Sequence, residues 1–273
     1  MALPLPTRAA APRERTHHLP SRHLGRAVEL SVLLPPRYRI NLLHRYPVVL
    51  LNDGQDFGAL ELRARLAATY RARIVTPMII VGLHADERRM REYGTSGGAD
   101  YAGRGDLADA HRRFVTEELV PWLRAAYRTR ADRRAWAIGG FSLGGLSAFD
   151  IAWHHELLFG HVGCFSASFW WRATPFDEGD PDAGRVAVDR TARAVRAADL
   201  SYFFAVGSAE EDSDRNGNGV IDAVDDTLDV IAALRDLGVP GADVHYHYVE
   251  GGRHDHASWG PALLVWLARL WRK

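Results

Sequence analysis

Gly140-Phe141-Ser142-Leu143-Gly144 stands between an apolar run, Ala135-Trp136-Ala137-Ile138, and a helix-compatible run from Leu146 to His154. A serine in Gly-x-Ser-x-Gly between a strand and a helix has the pattern of a nucleophile elbow. This sharp turn lifts the hydroxyl clear of a sheet and tolerates little but glycine on its flanks. The five residues alone are a weak signal, because Gly139 and Gly145 extend a glycine-rich stretch that an ordinary turn also explains. The strand before and the helix after favour the elbow, so the neighbouring chain has to supply a base, an acid and an oxyanion hole.

On the amino-terminal side, Ala27 to Leu34 alternates as a strand and ends at Pro35-Pro36. Pro47 then introduces Val48-Val49-Leu50-Leu51, a continuous apolar run expected of a strand buried on both faces. A turn at Asn52-Asp53-Gly54-Gln55-Asp56, a helix from Leu60 to about Arg71 and a strand over Met78 to Gly82 follow. Residues 84–105 are polar and glycine-rich, too long for a routine connection, and are expected to form an active-site wall. Leu107, Phe114, Leu119, Trp122 and Leu123 mark an amphipathic helix leading into the elbow strand. Residues 1–20, rich in proline, alanine and arginine, are expected to be a flexible arm, and residues 21–273 a single domain.

Beyond the elbow, strands are expected at His161 to Ser166, Tyr202 to Val206 and Val244 to Val249. Residues 173–198 form an excursion whose arginines are expected on a solvated face. Thr227 to Leu237 is expected to be a helix stopped by Gly238, and Pro261 to stand in the first turn of the last helix. Strands alternating with helices predict an α/β fold with a mostly parallel sheet, helices on both faces and no large separate cap domain. Ligands bind such sheets at the carboxyl ends of the strands, where the loops after Leu51, Gly82, Ile138, Ser166, Val206 and Val249 should converge.

Composition sets outer limits. The 273 residues are 47% hydrophobic and 10% aromatic, enough for a sizeable core. With 34 basic and 34 acidic residues, net charge points neither to a nucleic acid nor to a membrane partner. The one cysteine, Cys164, excludes an intrachain disulfide and suits a reducing compartment. The first twenty residues lack the apolar core of a signal peptide, and no apolar run approaches the roughly 18 residues of a membrane span, so the expected location is cytoplasmic. Oligomeric state is not legible.

A serine hydroxyl needs an imidazole to take its proton and a carboxylate to orient that imidazole. His254 and His256 lie on the loop after the last strand, where the chain order serine, acid, histidine places the base. Trp170 and Trp171 are either core aromatics or, for one of them, a lining of the site. Arg89, Glu92 and Tyr93 form either an internal ion-pair unit, the favoured reading, or part of the substrate wall.

At this point the chain resembles the enterochelin (ferric enterobactin) esterase-like branch of the α/β-hydrolases. The resemblance covers about residues 20–273. It rests on Leu24-Gly25-Arg26, Leu34-Pro35-Pro36, Asn52-Asp53-Gly54-Gln55, Arg89 with Glu92-Tyr93, the elbow, Ser168 with Trp170-Trp171, Gly207-Ser208-Ala209-Glu210, and Gly251-Gly252 with a histidine before Trp259. It implies His254, five residues before Trp259, as the base and Glu210 as the acid, with Asp212 as runner-up. It also implies backbone N–H groups of Leu143 and Gln55 as the oxyanion hole. Phe57, Trp170, Trp171 and Arg89 are the candidate substrate-binding residues. The implied function is a serine carboxylic-ester hydrolase acting on a small-molecule siderophore-type, aromatic or sugar acyl ester, with no cofactor for catalysis. Acyl transfer on the same triad and a non-catalytic binding protein of this fold are the alternatives.

One further motif stands beside the acid. Asp214, Asn216, Asn218, Gly219, Val220, Asp222 and Asp225 match a twelve-residue calcium loop, with the Val220 carbonyl and the five side chains as oxygen ligands. Asp225 replaces the usual glutamate, and no helix is expected before the loop. Calcium is expected here as a structural ion, against a solvated acidic turn that caps the following helix.

Overall fold

The computed structural model describes residues 11–271. Strands β1 (Arg13–Ser21), β2 (Arg26–Leu34), β3 (Val48–Asn52), β4 (Ile79–Leu83), β5 (Trp136–Phe141), β6 (His161–Phe165), β7 (Ser201–Gly207) and β8 (Val244–Val249) form one sheet. Their order is β1-β2-β4-β3-β5-β6-β7-β8. The run from β4 to β8 is parallel, while β2 is antiparallel to β4 and β1 to β2. The helices are α1 (Leu62–Arg71), α2 (Arg89–Glu92), α3 (Ala108–Arg113), α4 (Val120–Ala126), α5 (Leu143–His154), α6 (Val186–Ala192), α7 (Asp222–Asp236) and α8 (His256–Arg269), with a π turn over Phe114–Leu119 between α3 and α4.

The apolar runs make central strands because both their faces are covered. Val48, Leu50, Ile79 and Val81 point into a core shared with Phe114, Leu146, Phe149 and Val230. Their neighbours Val49, Leu51 and Ile80 point the other way, against Leu62, Leu66, Leu263 and Trp266. Every residue of β3, β4 and β5 is therefore buried, and the sequence shows runs where a half-exposed strand would alternate. The predicted α/β architecture, mostly parallel with helices on both faces, is the one that forms.

Four expectations are corrected. Arg13–Ser21 is no arm: it pairs with β2 over the whole register from Arg13↔Leu34 to Ser21↔Arg26, while residues 1–10 lie outside the described residues. Helix α7 begins at Asp222, five residues before Thr227, so Asp222 and Asp225 belong to its first turn, where carboxylates oppose the helix dipole favourably. Helix α8 begins at His256, because the Asp255 side chain accepts from Ser258 N–H at 2.9 Å, and Pro261 consequently lies inside the helix. The arginines of the excursion are not all solvated. Arg185 has a side chain 4% exposed and lies 2.6 Å from both Asp226 and Asp229, and Arg190 is paired with the buried Asp150.

Candidate active site

Strand β5 ends where Ser142 takes φ 54° and ψ −125°, outside the ordinary regions for a residue with a side chain. The turn is tight enough that a Cβ on Gly140 would lie 2.4 Å from the Gly144 carbonyl oxygen, and one on Gly144 would lie 2.7 Å from Asp53 Oδ2. Helix α5 then runs through the core with Leu143 to Ala152 buried, and Ser142 is held at its amino end. The elbow anticipated from sequence is thus a backbone contact that no side chain could enter.

The candidate base and acid lie on two other carboxyl-end loops. Glu210, with a side chain 2% exposed, accepts from His254 Nδ1 at 2.9 Å. Its other oxygen accepts from Gly207 N–H at 2.6 Å and from the Ser166 hydroxyl at 2.5 Å. Asp212 is exposed, and Glu211 turns to accept from Ala223 N–H at 2.7 Å in the first turn of α7. His256 lies 3.2 Å from Asp56 instead of joining Glu210. Of the candidates, the geometry therefore brings together Glu210 and His254, whose ring is 42% exposed. The Ser142 hydroxyl lies 3.3 Å from the Ser168 hydroxyl. Resting-state contacts between nucleophile and base are commonly longer than those made with substrate in place.

Trp259 braces this group from below. Its indole N–H donates to Ser166 Oγ at 2.8 Å, its ring stacks on Phe141 at 5.2 Å, and the His254 ring stands edge-on to it at 5.0 Å. Ser166 itself takes φ 46°, a left-handed conformation that aims its hydroxyl at the acid. The sequence placed Trp259 by its spacing from His254, but nothing in it signalled Ser166.

Gln55, the candidate second oxyanion donor, sits on the turn after β3. Asp53 adopts φ 64°, and a Cβ on Gly54 would lie 2.5 Å from the Gly82 backbone, so this turn is seated directly on β4. Arg89 grips the Asp53 carboxylate with two hydrogen bonds of 2.7 and 2.8 Å, and Tyr93 OH accepts from Asp53 N–H at 3.1 Å. Asn52 donates to the Gly144 carbonyl at 2.8 Å, tying this turn to the elbow. Behind Asn52, burial pushes the His111 imidazole down to about 4, so it is neutral at ordinary pH and lies 3.2 Å from Asn52 Oδ1. Among the described residues, neither Leu143 N–H nor Gln55 N–H has a backbone acceptor outside its own helix.

Three of the four candidate substrate-binding residues are structural. Phe57 is 8% exposed and packs with Leu51 and Trp259, Trp171 is 0% exposed, and Arg89 is committed to Asp53. Large side chains that fill a core cannot be told from pocket linings by residue type alone. Trp170, 38% exposed, is the one that faces outward, with the Arg104 guanidinium 4.9 Å above its ring and 5.7 Å from that of Tyr101.

In the calcium-like loop, Asp214 accepts from Asn218 N–H at 3.1 Å and from Gly219 N–H at 2.9 Å. The side-chain amides of Asn216 and Asn218 lie 3.0 and 3.3 Å from Asp225 Oδ2. Val220 donates its N–H to Asn218 Oδ1 at 2.8 Å. Asp222 faces Arg215, whose guanidinium is 5% exposed and also reaches Asp182 and Asp226. A buried arginine therefore already supplies positive charge on one side of these carboxylates.

The fold recurs among known structures. A ferulic acid esterase superposes with a TM-score of 0.72 at 20% identity, covering 95% of this chain and 98% of that one. Enterochelin esterase from Shigella flexneri gives 0.73 at 18% identity, covering 95% of this chain and 58% of that one. At these identities the likeness establishes the α/β-hydrolase type of fold. Iron(III) salmochelin esterase of Escherichia coli O6:H1 is 28% identical over 151 residues, 54% of this chain and 34% of that protein. An uncharacterized Bacillus subtilis protein, YjcH, is 26% identical over 144 residues, 52% of this chain and 56% of that protein. The matched stretch thus spans at most about half of these curated relatives. The model of the family described as "Putative esterase" matches residues 21–270, and the chain belongs to that family.

Proposed function

We propose that the protein is a serine carboxylic-ester hydrolase that works through an acyl-enzyme on Ser142. The observation that carries this reading is the buried Glu210 carboxylate holding His254 Nδ1 at 2.9 Å, at the same carboxyl end of the sheet as a serine in an elbow. Glu210 fixes the tautomer that leaves His254 Nε2 free to take the Ser142 proton and later return it to the leaving alcohol. Leu143 and Gln55 N–H groups bind the oxyanion as it forms, and such donors each lower the barrier by about 3 kcal/mol. Arg89 acts through Asp53, keeping the Gln55 turn in place. Water then attacks the acyl carbonyl with His254 as base. The exposed rings of Tyr101 and Trp170 beside the Arg104 guanidinium suit an aromatic acyl ester with polar substituents, in keeping with the ferulic acid and salmochelin esterases it resembles.

A fluorophosphonate probe tests this directly. Labelling of the parent but not of Ser142→Ala, together with turnover in a panel of aryl and alkyl esters, is the expected result. An unlabelled Ser142 with no ester cleaved leaves the non-catalytic alternative standing. Glu210→Gln is expected to lower kcat by about 10⁴ with the fold retained, and Asp212→Asn to change it little. Ser166→Ala removes one donor to the acid, and kcat is expected to fall roughly ten- to hundredfold at nearly constant KM. An unchanged kcat means that Gly207 N–H alone orients Glu210.

We also propose a structural calcium ion, with Asp214, Asn216, Asn218, the Val220 carbonyl, Asp222 and Asp225 as its ligands. Asp214 and Asn218 Oδ1 already accept the N–H groups that close the loop, and the ion would take the place of the Nδ2 donors that Asn216 and Asn218 turn towards Asp225. Saturating calcium is then expected to raise Tm by about 5–10 °C over chelator. Identical melting in the two conditions removes the ion.

A further inference from the structure

One cleft of the molecule lies away from Ser142. A cleft of about 1140 Å³ opens at the amino ends of the parallel strands, where Tyr46 and Pro47 precede β3, Val75 to Pro77 precede β4 and Arg130 precedes β5. Arg37, Arg45, Arg73, Arg130 and His44 line it, and none of its described lining residues is acidic. Among the described residues, Arg37, Arg45 and Arg73 form no ion pair, whereas Arg130 shares Asp132 at 3.1 Å. The chain is neutral overall, but its charges are segregated, and this end of the sheet is basic.

Two features accompany that charge. Arg37 and Arg73 stand at φ 66° and 57°, left-handed positions where glycine is the ordinary occupant, so these guanidinium groups are presented at some backbone cost. The loop that forms one lip of the cleft then exposes Ile40, Leu42 and Leu43 to the extent of 76, 65 and 97%, interleaved with Arg37, Arg39 and Arg45. Ile74, on the opposite lip, is 57% exposed. Protruding aliphatic side chains flanked by unpaired arginines match the bilayer interface, where apolar tips enter the acyl boundary and guanidinium groups meet lipid phosphates. Cationic and aliphatic side chains alternating along one loop suit an anionic bilayer, which offers phosphate and acyl chain side by side.

We infer that the Arg37–Arg45 loop and the cleft behind it form a docking surface for anionic lipid bilayers, with the loop tip in the interface and a headgroup phosphate in the cleft. Among the described residues no helix is long and apolar enough to cross a membrane, so the contact is peripheral. Because the catalytic loops lie at the opposite ends of the same strands, docking leaves Ser142 facing away from the membrane.

The test is co-sedimentation of the full chain with vesicles of phosphatidylcholine alone and of phosphatidylcholine mixed with phosphatidylglycerol, at low and high salt. Binding to the anionic vesicles alone, weakened by salt, is the expected result. Leu42→Ser/Leu43→Ser and Arg37→Gln/Arg73→Gln should each reduce the bound fraction by about tenfold, with circular dichroism and Tm unchanged. The inference is overturned by failure to bind either vesicle or by equal binding to both. Retained binding in the folded variants, or a lipid-independent dimer that the leucine variant disperses, also overturns it.

Discussion

Ser142→Ala is expected to lower kcat by about a millionfold on any ester the protein cleaves, with Tm nearly unchanged. The size follows from how the site is built. In the proposed mechanism His254 and Glu210 act only through the serine oxygen, so removing that oxygen disables all three groups together. What survives is the contribution of the oxyanion donors and of substrate positioning, roughly 10³ over the uncatalysed reaction. The comparison to make is single-turnover kinetics of parent and variant on one activated aryl ester. A loss below about a hundredfold would mean that another nucleophile carries the reaction, and the Ser168 hydroxyl, 3.3 Å away, is the group to test next.

The second large effect concerns stability. Arg185→Met is expected to destabilise the fold by about 3 kcal/mol, because it removes the guanidinium that lies 2.6 Å from both Asp226 and Asp229 and leaves them only Arg215, 3.0 and 3.9 Å away. For a chain of this size that is a fall in Tm of about 10 °C. The sign of its pH dependence follows from Asp226. Burial pushes this carboxyl up to about 6, against the pull of Arg215 and Arg185. A carboxyl whose folded value is raised contributes stability at low pH and loses it as pH climbs from about 4 to about 6. Removing Arg185 raises it further and deepens that loss, so the defect is larger at pH 8 than at pH 5. Asp226→Asn in the Arg185→Met background should recover part of the loss at pH 8. Equal defects at the two pH values would show that lost packing, not an uncompensated charge, is responsible.

How much of this was legible depended on whether the constraint was local. The elbow was visible because its glycines are demanded by a contact only a few residues long, Gly140 against Gly144. His254 and Glu210 were found by family spacing, and the geometry joins those two and not Asp212 or His256. Strand β1 was missed because it has no apolar alternation of its own; it is a strand through its partner β2. Arg185 was misjudged for the same reason: its burial depends on aspartates 41 and 44 positions further along the chain, and nothing near it in sequence announces them. Phe57 and Trp171 were taken for pocket residues because an aromatic side chain looks the same in either setting, and Ser166 was overlooked because a left-handed φ leaves no mark on a serine.

The stack of Arg104 on Trp170 and Tyr101 divides the molecule into parts that differ in how much substitution their contacts allow. The elbow closes backbone to backbone at Gly140 and Gly144, the turn carrying Gln55 is seated on Gly82, and the Asn52 and Asp53 side chains join the two, so few exchanges there are tolerated. The aromatic rim is joined to that machinery by the segment from Ser168 to Trp170 and by the Gly105 N–H on the Met90 carbonyl, while its outer faces meet solvent. Selection, or a designer, can therefore change which acyl group is admitted by rewriting Tyr101, Arg104 and Trp170 while the reaction itself is inherited intact.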